Sequence, residues 1–293
     1  MKLTITAPAT TANLGAGFDV FGAALSCENR FFVEVGGEGF ALADGSRLPL
    51  EGPNLFLAAL QSAAAALGAP APPVGVVAEA AVPLRSGLGS SATAICAGLL
   101  AAQAILERSL APADALRIAS ALDGHPDNVA ACLLGGVTIS AGDGLVRRLP
   151  APQLAAVIYY PGTEQGTEAA RRDLAPQIDR ADAVFNISRA SLFVYALTQG
   201  DHALLRAACE DRLHESVRLR GLPFALQARA AALAAGAYAM PLSGSGPSLL
   251  ALAPQARAEA VAAALREVAA GDKAARIIPL EFAEQGAQVL SGA

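Results

Sequence analysis

The sequence contains only two lysines, Lys2 and Lys273, and neither lies in a glycine-rich segment. This scarcity excludes the GxxxxGK[ST] phosphate loop, in which a lysine reaches the β- and γ-phosphates of a nucleotide. The net charge is −5, and the basic residues are scattered along the chain. Because a nucleic-acid surface needs clustered positive charge, no nucleic-acid partner is expected.

Histidine, cysteine and long apolar runs are also scarce. Three histidines exclude a histidine-rich metal centre, and four cysteines form no Cys-x-x-Cys pair. The cysteines are interpreted as buried thiols of a cytoplasmic protein. No apolar run approaches the ~20 residues of a membrane-spanning helix. The opening MKLTITAPATT alternates like a strand and has no apolar signal core, so neither membrane nor export is expected.

Hydrophobic residues are abundant: they make up 54% of the 293 residues, enough for one large domain or two ordinary ones. A segment rich in glycine and proline at 141–152 marks a boundary between residues 1–150 and residues 151–293. Strands interleaved with helices in the second half predict an α+β sandwich.

Hydrophobic periodicity and turn residues predict the individual elements. Loops are expected at 43–52 and in the boundary segment. Strands are predicted at 2–7, 30–35, 74–80, 155–160, 238–242, 248–253 and 276–282. Helices are predicted at 55–67, from Ser90 to about Leu106, and at 112–122, 182–198, 202–209, 225–235 and 255–270.

One stretch, PLRSGLGSSATA at 83–94, joins a predicted strand to a predicted helix. Gly87 and Gly89 permit a tight backbone, and Ser90 and Ser91 begin the helix. Such a turn directs backbone N–H groups and the positive end of a helix dipole at one point, which suits an anion. A serine-capped turn without function is the alternative. The loop is no GxGxxG fingerprint, which argues against a dinucleotide-binding oxidoreductase.

Two other segments concentrate polar groups among small residues. The first, PATTANLGAGFDVFGAAL, carries Asn13 and Asp19, and a turn-stabilising role is the alternative reading of Asp19. The second precedes the apolar run VAACLL, and a helix cap there accounts for only one or two of its polar residues. Those polar residues are Asp123, His125, Asp127 and Asn128.

In combination these segments resemble the GHMP kinase superfamily, with PLRSGLGSSATA similar to its phosphate loop and PLSGSGPS similar to its third motif. PATTANLGAGFDVFGAAL and GHPDNVAACLLGG resemble the homoserine kinase family within it. The resemblance implies a ribosomal-protein-S5-like N-terminal domain and a ferredoxin-like C-terminal domain, with the active site in the cleft between them. It also implies ATP- and Mg²⁺-dependent phosphorylation of L-homoserine in threonine biosynthesis, by a cytoplasmic homodimer.

The same resemblance assigns the nucleotide and metal sites. Asn54 would lie near the adenosine, and Ser90 with Asp123 would hold Mg²⁺. Some relatives have a metal-binding glutamate eight residues before the histidine, but Arg117 stands there and cannot bind a cation. The residues expected to wrap ATP are Pro83, Leu84, Arg85, Ser86, Gly87, Leu88, Gly89, Ser90, Ser91, Ala92 and Thr93.

For the amino acid, the resemblance places Arg171 in TEAARRDL and Arg218 in ESVRLRGLP, where arginine suits a substrate carboxylate. The residues from Gly244 to Ser248 would close the floor of the pocket. Asp19 and Asn128 are the expected catalytic residues, although phosphoryl transfer does not require a strong base. The substrate is expected to meet Asn13, Asp19, His125, Asp127 and Asn128.

Two other functions stay open from the sequence. Another GHMP kinase, acting on mevalonate or a sugar, would share the phosphate loop, although the arginine pair and the GHPDN segment favour an amino acid with a free carboxylate. A non-catalytic relative that binds a nucleotide or metabolite is the second alternative, and it rests on the departure at Arg117.

Overall fold

The computed structural model describes residues 1–46, 54–163 and 167–290 of the chain. Within these ranges, the strands form one seven-stranded sheet and one three-stranded sheet. The strands are β1 (Lys2–Ala12), β2 (Phe21–Val35), β3 (Phe40–Leu42), β4 (Val74–Glu79), β5 (Val137–Ser140), β6 (Val146–Leu149), β7 (Ala155–Tyr160), β8 (Leu249–Ala253), β9 (Arg276–Glu281) and β10 (Gln288–Leu290).

The helices agree with most of the predicted ones to within a few residues. The predicted helices at 202–209 and 255–270 each begin with a 3₁₀ turn, and another short 3₁₀ turn covers Leu219–Gly221. The α-helices are α1 (Leu55–Ala66), α2 (Ser90–Leu106), α3 (Pro112–Asp123), α4 (Asp127–Leu134), α5 (Thr167–Arg172), α6 (Arg180–Gln199), α7 (Leu205–Ala208), α8 (Glu215–Arg218), α9 (Ala225–Ala234) and α10 (Ala258–Ala269).

The larger sheet has the path β10-β1-β2-β4-β3, and β5 and β6 extend it from the first residues of β2. Both central strands are longer than predicted, because β1 continues to Ala12 and β2 already begins at Phe21. Their inner ends are buried on both faces and therefore lack the alternation that marks a half-exposed strand. Pro8 is accommodated at a register shift between Pro8 and Thr10.

The last strand in the described residues belongs to the larger sheet. β10 pairs with β1, with Leu290 opposite Thr4. β6 lies inside the segment expected to be a boundary loop and pairs with β5. The larger sheet therefore combines strands from residues 2–149 with one strand from residues 288–290. The expected loop at 43–52 lies partly outside the described residues.

The smaller sheet has the order β8-β7-β9, and β7 is buried along its whole length. One face of β7, including Ile158, packs toward the larger sheet and α6, and the other, including Tyr159, packs under α9 and α10. The strand predicted at 238–242 is wrong, since only two isolated bridges form there. Pro241 has no N–H group to donate to a ladder.

α2, the helix that follows the stretch at 83–94, is part of the buried apolar core beside the larger sheet. α2 packs with α1 over the larger sheet, and Ile95, Leu99 and Phe56 belong to the same buried cluster. A Cβ at Gly98 would overlap the carbonyl oxygen of Phe56, so glycine lets these two helices approach closely. Among the helices described, none combines the length and the apolar character needed to cross a bilayer.

Candidate active site

The turn between β1 and β2 is closed by the side chain of Asn13. Its Oδ1 accepts the backbone N–H of Asp19 at 3.0 Å, and its Nδ2 donates to the carbonyl oxygen of Gly244 at 2.8 Å. Asn13 has φ +70° and Asp19 has φ +59°, values that asparagine and aspartate tolerate better than most residues. Asn13 thus connects the segment PATTANLGAGFDVFGAAL to the segment PLSGSGPS.

Asp19 forms a bidentate ion pair with Arg171. The guanidinium donates from NH1 to Oδ2 at 2.9 Å and from NH2 to Oδ1 at 2.7 Å. This pairing raises the pKa of Arg171, while partial burial acts in the opposite direction. Asp19 therefore does more than stabilise a turn, because it holds α5 to the Asn13 turn.

Arg218, at the end of α8, is buried to 5% exposure. Its NH1 donates to Nδ1 of His214 at 3.1 Å and to the carbonyl oxygen of Gly244 at 3.3 Å. Burial, and secondarily the charge of Arg171, lower the pKa of Arg218. Its Nε is buried and has no hydrogen-bond partner in the part of the chain that the structure describes. A buried donor left unpaired costs about 1–3 kcal/mol, so an acceptor is expected at this atom.

The phosphate-loop stretch has the predicted strand–turn–helix form. Gly87 has φ +81° and Gly89 has φ +68°, and α2 begins at Ser90 without a side-chain cap. The first N–H groups of a helix have no intrahelical acceptor, so those of α2 are available to an anion. A Cβ at Gly87 would overlap the Ser243 carbonyl oxygen, and one at Gly89 would overlap the Thr10 hydroxyl oxygen.

Ser243 and Gly244 connect the phosphate loop to the arginine. The Ser243 hydroxyl lies 2.7 Å from the Gly87 carbonyl oxygen. The next carbonyl oxygen, that of Gly244, accepts from both Asn13 and Arg218. Two residues of the third motif therefore join the ends of the candidate site.

Asn128 lies at the phosphate loop. Its Oδ1 accepts the Thr10 hydroxyl at 2.7 Å, and a Cβ at Gly89 would be 3.1 Å from the same oxygen. The Asp127 carboxylate accepts the backbone N–H of Asn128 at 2.7 Å. Pro126 occupies the N-cap position of α4, so neither Asp127 nor Asn128 is the helix cap considered above.

Asp123, His125 and Asp127 form a largely buried polar cluster where α3 ends and α4 begins. His125 Nδ1 lies 3.3 Å from Asp127 Oδ1 and 3.6 Å from Asp123 Oδ2. The Asp127 carboxylate raises the pKa of His125 against the effect of burial. Burial raises the pKa of Asp123, with His125 and the Ser91 side chain acting in the opposite direction.

The donors of this cluster fit a magnesium ion. Asp123 Oδ2 is buried without a hydrogen-bond partner among the described residues, and the carboxyl group lies beside Ser91 at the start of α2. Carboxylate and hydroxyl oxygens are ligands that Mg²⁺ accepts, and it often shares them with phosphate oxygens. The described residues contain no group of three or more His, Cys, Asp or Glu suited to a metal. A site here would therefore take most of its ligands from phosphate and water.

Asn54 and Arg85 are both predicted to contact the nucleotide. Asn54 caps α1, because its Oδ1 accepts the Leu57 N–H at 3.1 Å, and its adenosine contact stays a prediction. Arg85 is exposed at φ +48° in the loop.

Several residues of the site were not predicted from the sequence, among them Thr10, Phe18, His214 and Ser243. The guanidinium carbons of Arg171 and Arg218 each lie 5.3 Å from the centre of the Phe18 ring. The spacing of His214 and Arg218, four residues apart, was an available signal, because such pairs are neighbours on one helical face.

Comparison with protein families gives one match in each half of the chain. The family model described as the GHMP kinases N terminal domain matches residues 54–136, and that of the GHMP kinases C terminal matches residues 193–271. The fold is thus that of a GHMP kinase, and residues 83–94 lie within the matched N-terminal domain.

The relatives narrow this class. The chain is 38% identical to a homoserine kinase of Synechococcus sp., over 99% of this chain and 98% of that protein. It is 40% identical to a homoserine kinase of Trichormus variabilis, over 90% of each. A crystal structure of homoserine kinase from Cytophaga hutchinsonii superposes with TM-score 0.89 at 29% identity, covering 99% of this chain and 97% of that one. The chain belongs to the homoserine kinase family.

Proposed function

We propose that the protein transfers the γ-phosphoryl group of ATP to the side-chain hydroxyl of L-homoserine, giving O-phospho-L-homoserine for threonine biosynthesis. The observation that carries this proposal is the connection through Ser243 and Gly244. It sets a buried arginine with an unpaired Nε beside a helix start suited to phosphate. The names of relatives that are 38–40% identical support the same substrate.

Arg218 is the stronger candidate for the substrate carboxylate. Arg171 directs both of its terminal nitrogens to Asp19, whereas Arg218 has a buried Nε without an acceptor. A carboxylate at the Nε edge would supply that acceptor in a charge-assisted pair worth roughly 1.5–3 kcal/mol. Arg171 then has the role of fixing Asp19.

The remaining groups suit the ammonium and the hydroxyl of the substrate. Asp19 and Asp127 supply acceptors for the ammonium. Asn128, held by the Thr10 hydroxyl at the phosphate loop, is placed to orient the substrate hydroxyl toward the transferred phosphoryl group. A loose transition state needs positioning more than a base, so Asp19 is assigned the reception of the proton late in the reaction.

The nucleotide phosphates would be held by the N–H groups that begin α2 and by the loop before it. Asp123 and Ser90 would hold Mg²⁺, which neutralises phosphate charge when bound. Arg117 does not oppose this assignment, because its side chain is 63% exposed and pairs with Asp114 on the surface. The departure at Arg117 therefore lies outside the site and does not favour a non-catalytic role.

Other GHMP kinases share the fold without sharing the sequence. A solved mevalonate kinase superposes with TM-score 0.72 at 14% identity, which is a likeness of fold alone. A sugar substrate would leave the buried Arg218 Nε without an anionic partner. The arginine therefore argues against a sugar, whereas mevalonate, which also carries a carboxylate, is disfavoured by the relatives at 38–40% identity.

Coupled measurement of ADP release tests the proposal. The assay contains ATP and Mg²⁺ with L-homoserine, L-threonine, mevalonate or galactose as acceptor. We expect L-homoserine to give turnover well above the ATPase background and the others to give little. Turnover of mevalonate or galactose without L-homoserine turnover would overturn the proposal.

A cytoplasmic location and a homodimer complete the proposal. All four cysteines are free thiols, as expected in a reducing compartment. Val184, Ile187 and Tyr195 are more than half exposed along α6, and apolar side chains grouped on one helix are typical of an interface. Light scattering coupled to size-exclusion chromatography tests the dimer, and Ile187→Glu should shift it to monomer.

A further inference from the structure

His214 occupies a fully buried position between the Asn13 turn and Arg218. Its side chain is 0% exposed, and its ring stacks on Phe18 with the ring centres 5.0 Å apart. Nε2 lies 2.9 Å from the carbonyl oxygen of Gly15, and Nδ1 lies 3.1 Å from NH1 of Arg218. Both ring nitrogens therefore have a partner within the protein.

The chemistry of these two partners fixes the tautomer of His214. A carbonyl oxygen only accepts, so Nε2 carries the hydrogen that points at Gly15. An arginine N–H only donates, so Nδ1 must be the bare acceptor for Arg218. Only the neutral Nε2–H form of the imidazole satisfies both contacts.

A second layer of contacts holds the backbone that carries His214. Asp211 Oδ2 accepts the N–H groups of Leu213, His214 and Glu215, which caps the start of α8. Asp211 Oδ1 accepts from Asn186 Nδ2 at 2.7 Å. The imidazole is therefore anchored on one side by α8 and on the other by Gly15.

The contact to His214 determines which edge of Arg218 is available. NH1 is directed to His214 and to the carbonyl oxygen of Gly244, while Nε is buried and unpaired. We propose that His214 is a positioning residue, whose neutral Nε2–H tautomer orients Arg218 so that its Nε edge faces the substrate carboxylate. This inference rests on the proposed function, because it names the group that prepares the carboxylate clamp.

Two amides divide the functions of the imidazole between them. In His214→Asn the amide oxygen lies near the position of Nδ1 and can accept from Arg218, but the bond to Gly15 is lost. In His214→Gln the amide nitrogen can reach Gly15, but the acceptor for Arg218 is lost. The two variants are thus matched controls for each other, and both replace an aromatic ring by a polar amide.

The kinetic test compares the two variants for both substrates. We expect His214→Gln to raise the KM for L-homoserine about tenfold, as for loss of a hydrogen bond to a charged group. His214→Asn should raise it about threefold or less, and the KM for ATP should change less than twofold in both. His202→Gln, outside the site, should leave both constants unchanged. Equal losses in the two variants, or KM values that rise together for both substrates, would overturn the assignment.

A spectroscopic test does not depend on turnover. The chain has three histidines, so ¹⁵N-labelled imidazole signals can be assigned with His125 and His202 variants. We expect one protonated and one bare ring nitrogen for His214 at pH 7.5, with the bare Nδ1 signal moving in Arg218→Ala. An imidazolium or an Nδ1–H tautomer would contradict the inference. Absence of L-homoserine turnover in the unmodified protein would instead reject the proposed function, and the spectrum would still report on His214.

Discussion

The nucleotide end and the amino-acid end of the candidate site are formed by different chemical groups. At the nucleotide end, the loop at 83–94 presents backbone N–H groups, and its contacts run through the carbonyl oxygens of Gly87 and Leu88. At the amino-acid end, the contacts are made by charged side chains: Asp19 pairs with Arg171, and Arg218 donates to the carbonyl oxygen of Gly244. One end depends on the space around the backbone and the other on charge.

This difference determines how each end can be damaged. The nucleotide end should be sensitive to any added Cβ and less so to a changed charge. The amino-acid end should respond to the loss of a single charge with little change in nucleotide binding. Substitutions at the two ends therefore test whether the two are as separate as their construction indicates.

The largest effect is expected from Gly89→Ala. The new Cβ would overlap the Thr10 hydroxyl, which itself holds Asn128, and φ would remain at +68°. A left-handed conformation costs a non-glycine residue roughly 1–2 kcal/mol and overpacking roughly 1–3 kcal/mol. We expect kcat/KM for ATP to fall by about two orders of magnitude, measured by ADP release.

Gly36→Ala is the matched control for Gly89→Ala. Gly36 has φ +83°, but a Cβ there would meet nothing within 4 Å. It should lower stability by about 1 kcal/mol and leave the KM for ATP unchanged. Comparable kinetic losses in the two variants would show that strain, rather than crowding at the phosphate loop, is responsible.

Arg218→Ala should act on the amino-acid end alone. Loss of a charge-assisted pair worth roughly 1.5–3 kcal/mol predicts a KM for L-homoserine about 10- to 150-fold higher. The KM for ATP should change less than twofold. Arg220→Ala, exposed on the neighbouring turn, is the control. An equal rise in both KM values would mean that the connection through Gly244 makes the two ends a single unit.

Asp123→Asn tests whether the nucleotide end contains one essential charge after all. Burial raises the pKa of Asp123, so the folded protein binds this proton more tightly than the unfolded chain does. Its contribution to stability is present below the unfolded pKa and is lost as the pH rises through the folded pKa. Near neutral pH, the amide should therefore raise the Tm, by about 2–4 °C.

The same variant should lower activity. If Asp123 holds Mg²⁺, kcat should fall at least about tenfold and the Mg²⁺ concentration for half-maximal rate should rise. Asp114→Asn, on the exposed face of α3, should change neither. A Tm that falls, with an unchanged response to Mg²⁺, would remove Asp123 from the metal site.

The smallest effect is expected from the titration of His125, between the two ends. Asp127 raises the pKa of His125, so protonation stabilises the fold. This stabilisation is complete below the unfolded pKa and is lost as the pH rises through the higher folded pKa. Without nucleotide or Mg²⁺, Tm should decline from pH 6 to pH 9 more steeply than in His125→Asn. Parallel Tm profiles would contradict this, and His202→Asn should follow the unmodified protein.

The two ends also differ in how well the sequence predicts them. The strand, the turn and the helix from 74 to 106 are predictable because every signal lies within one local stretch. Arg171, Arg218 and Asn13 are far apart in the chain, so only a family resemblance relates them. Their contacts through Asp19 and Gly244 arise from the tertiary fold.

Errors in the predicted elements also have physical causes. The apolar run at 238–242 favours a strand by composition, but Pro241 cannot donate to a ladder and two isolated bridges result. β10 has only three residues, too few to show an alternation. The strand predicted at 30–35 is shorter than β2, because the buried first half of β2 shows no contrast between its faces.

The position of β10 beside β1 has a consequence for synthesis on the ribosome. The N–H of Gly136 donates to the carbonyl oxygen of Ala283 at 2.8 Å, and the N–H of Ala287 donates to the carbonyl oxygen of Cys132 at 2.7 Å. The segment that leads into β10 is therefore also hydrogen-bonded to residues 132–136. At 5–20 residues per second, β1 waits on the order of ten seconds to a minute for residues 288–290. The Asn13 turn is thus made long before the sheet that carries it can be completed.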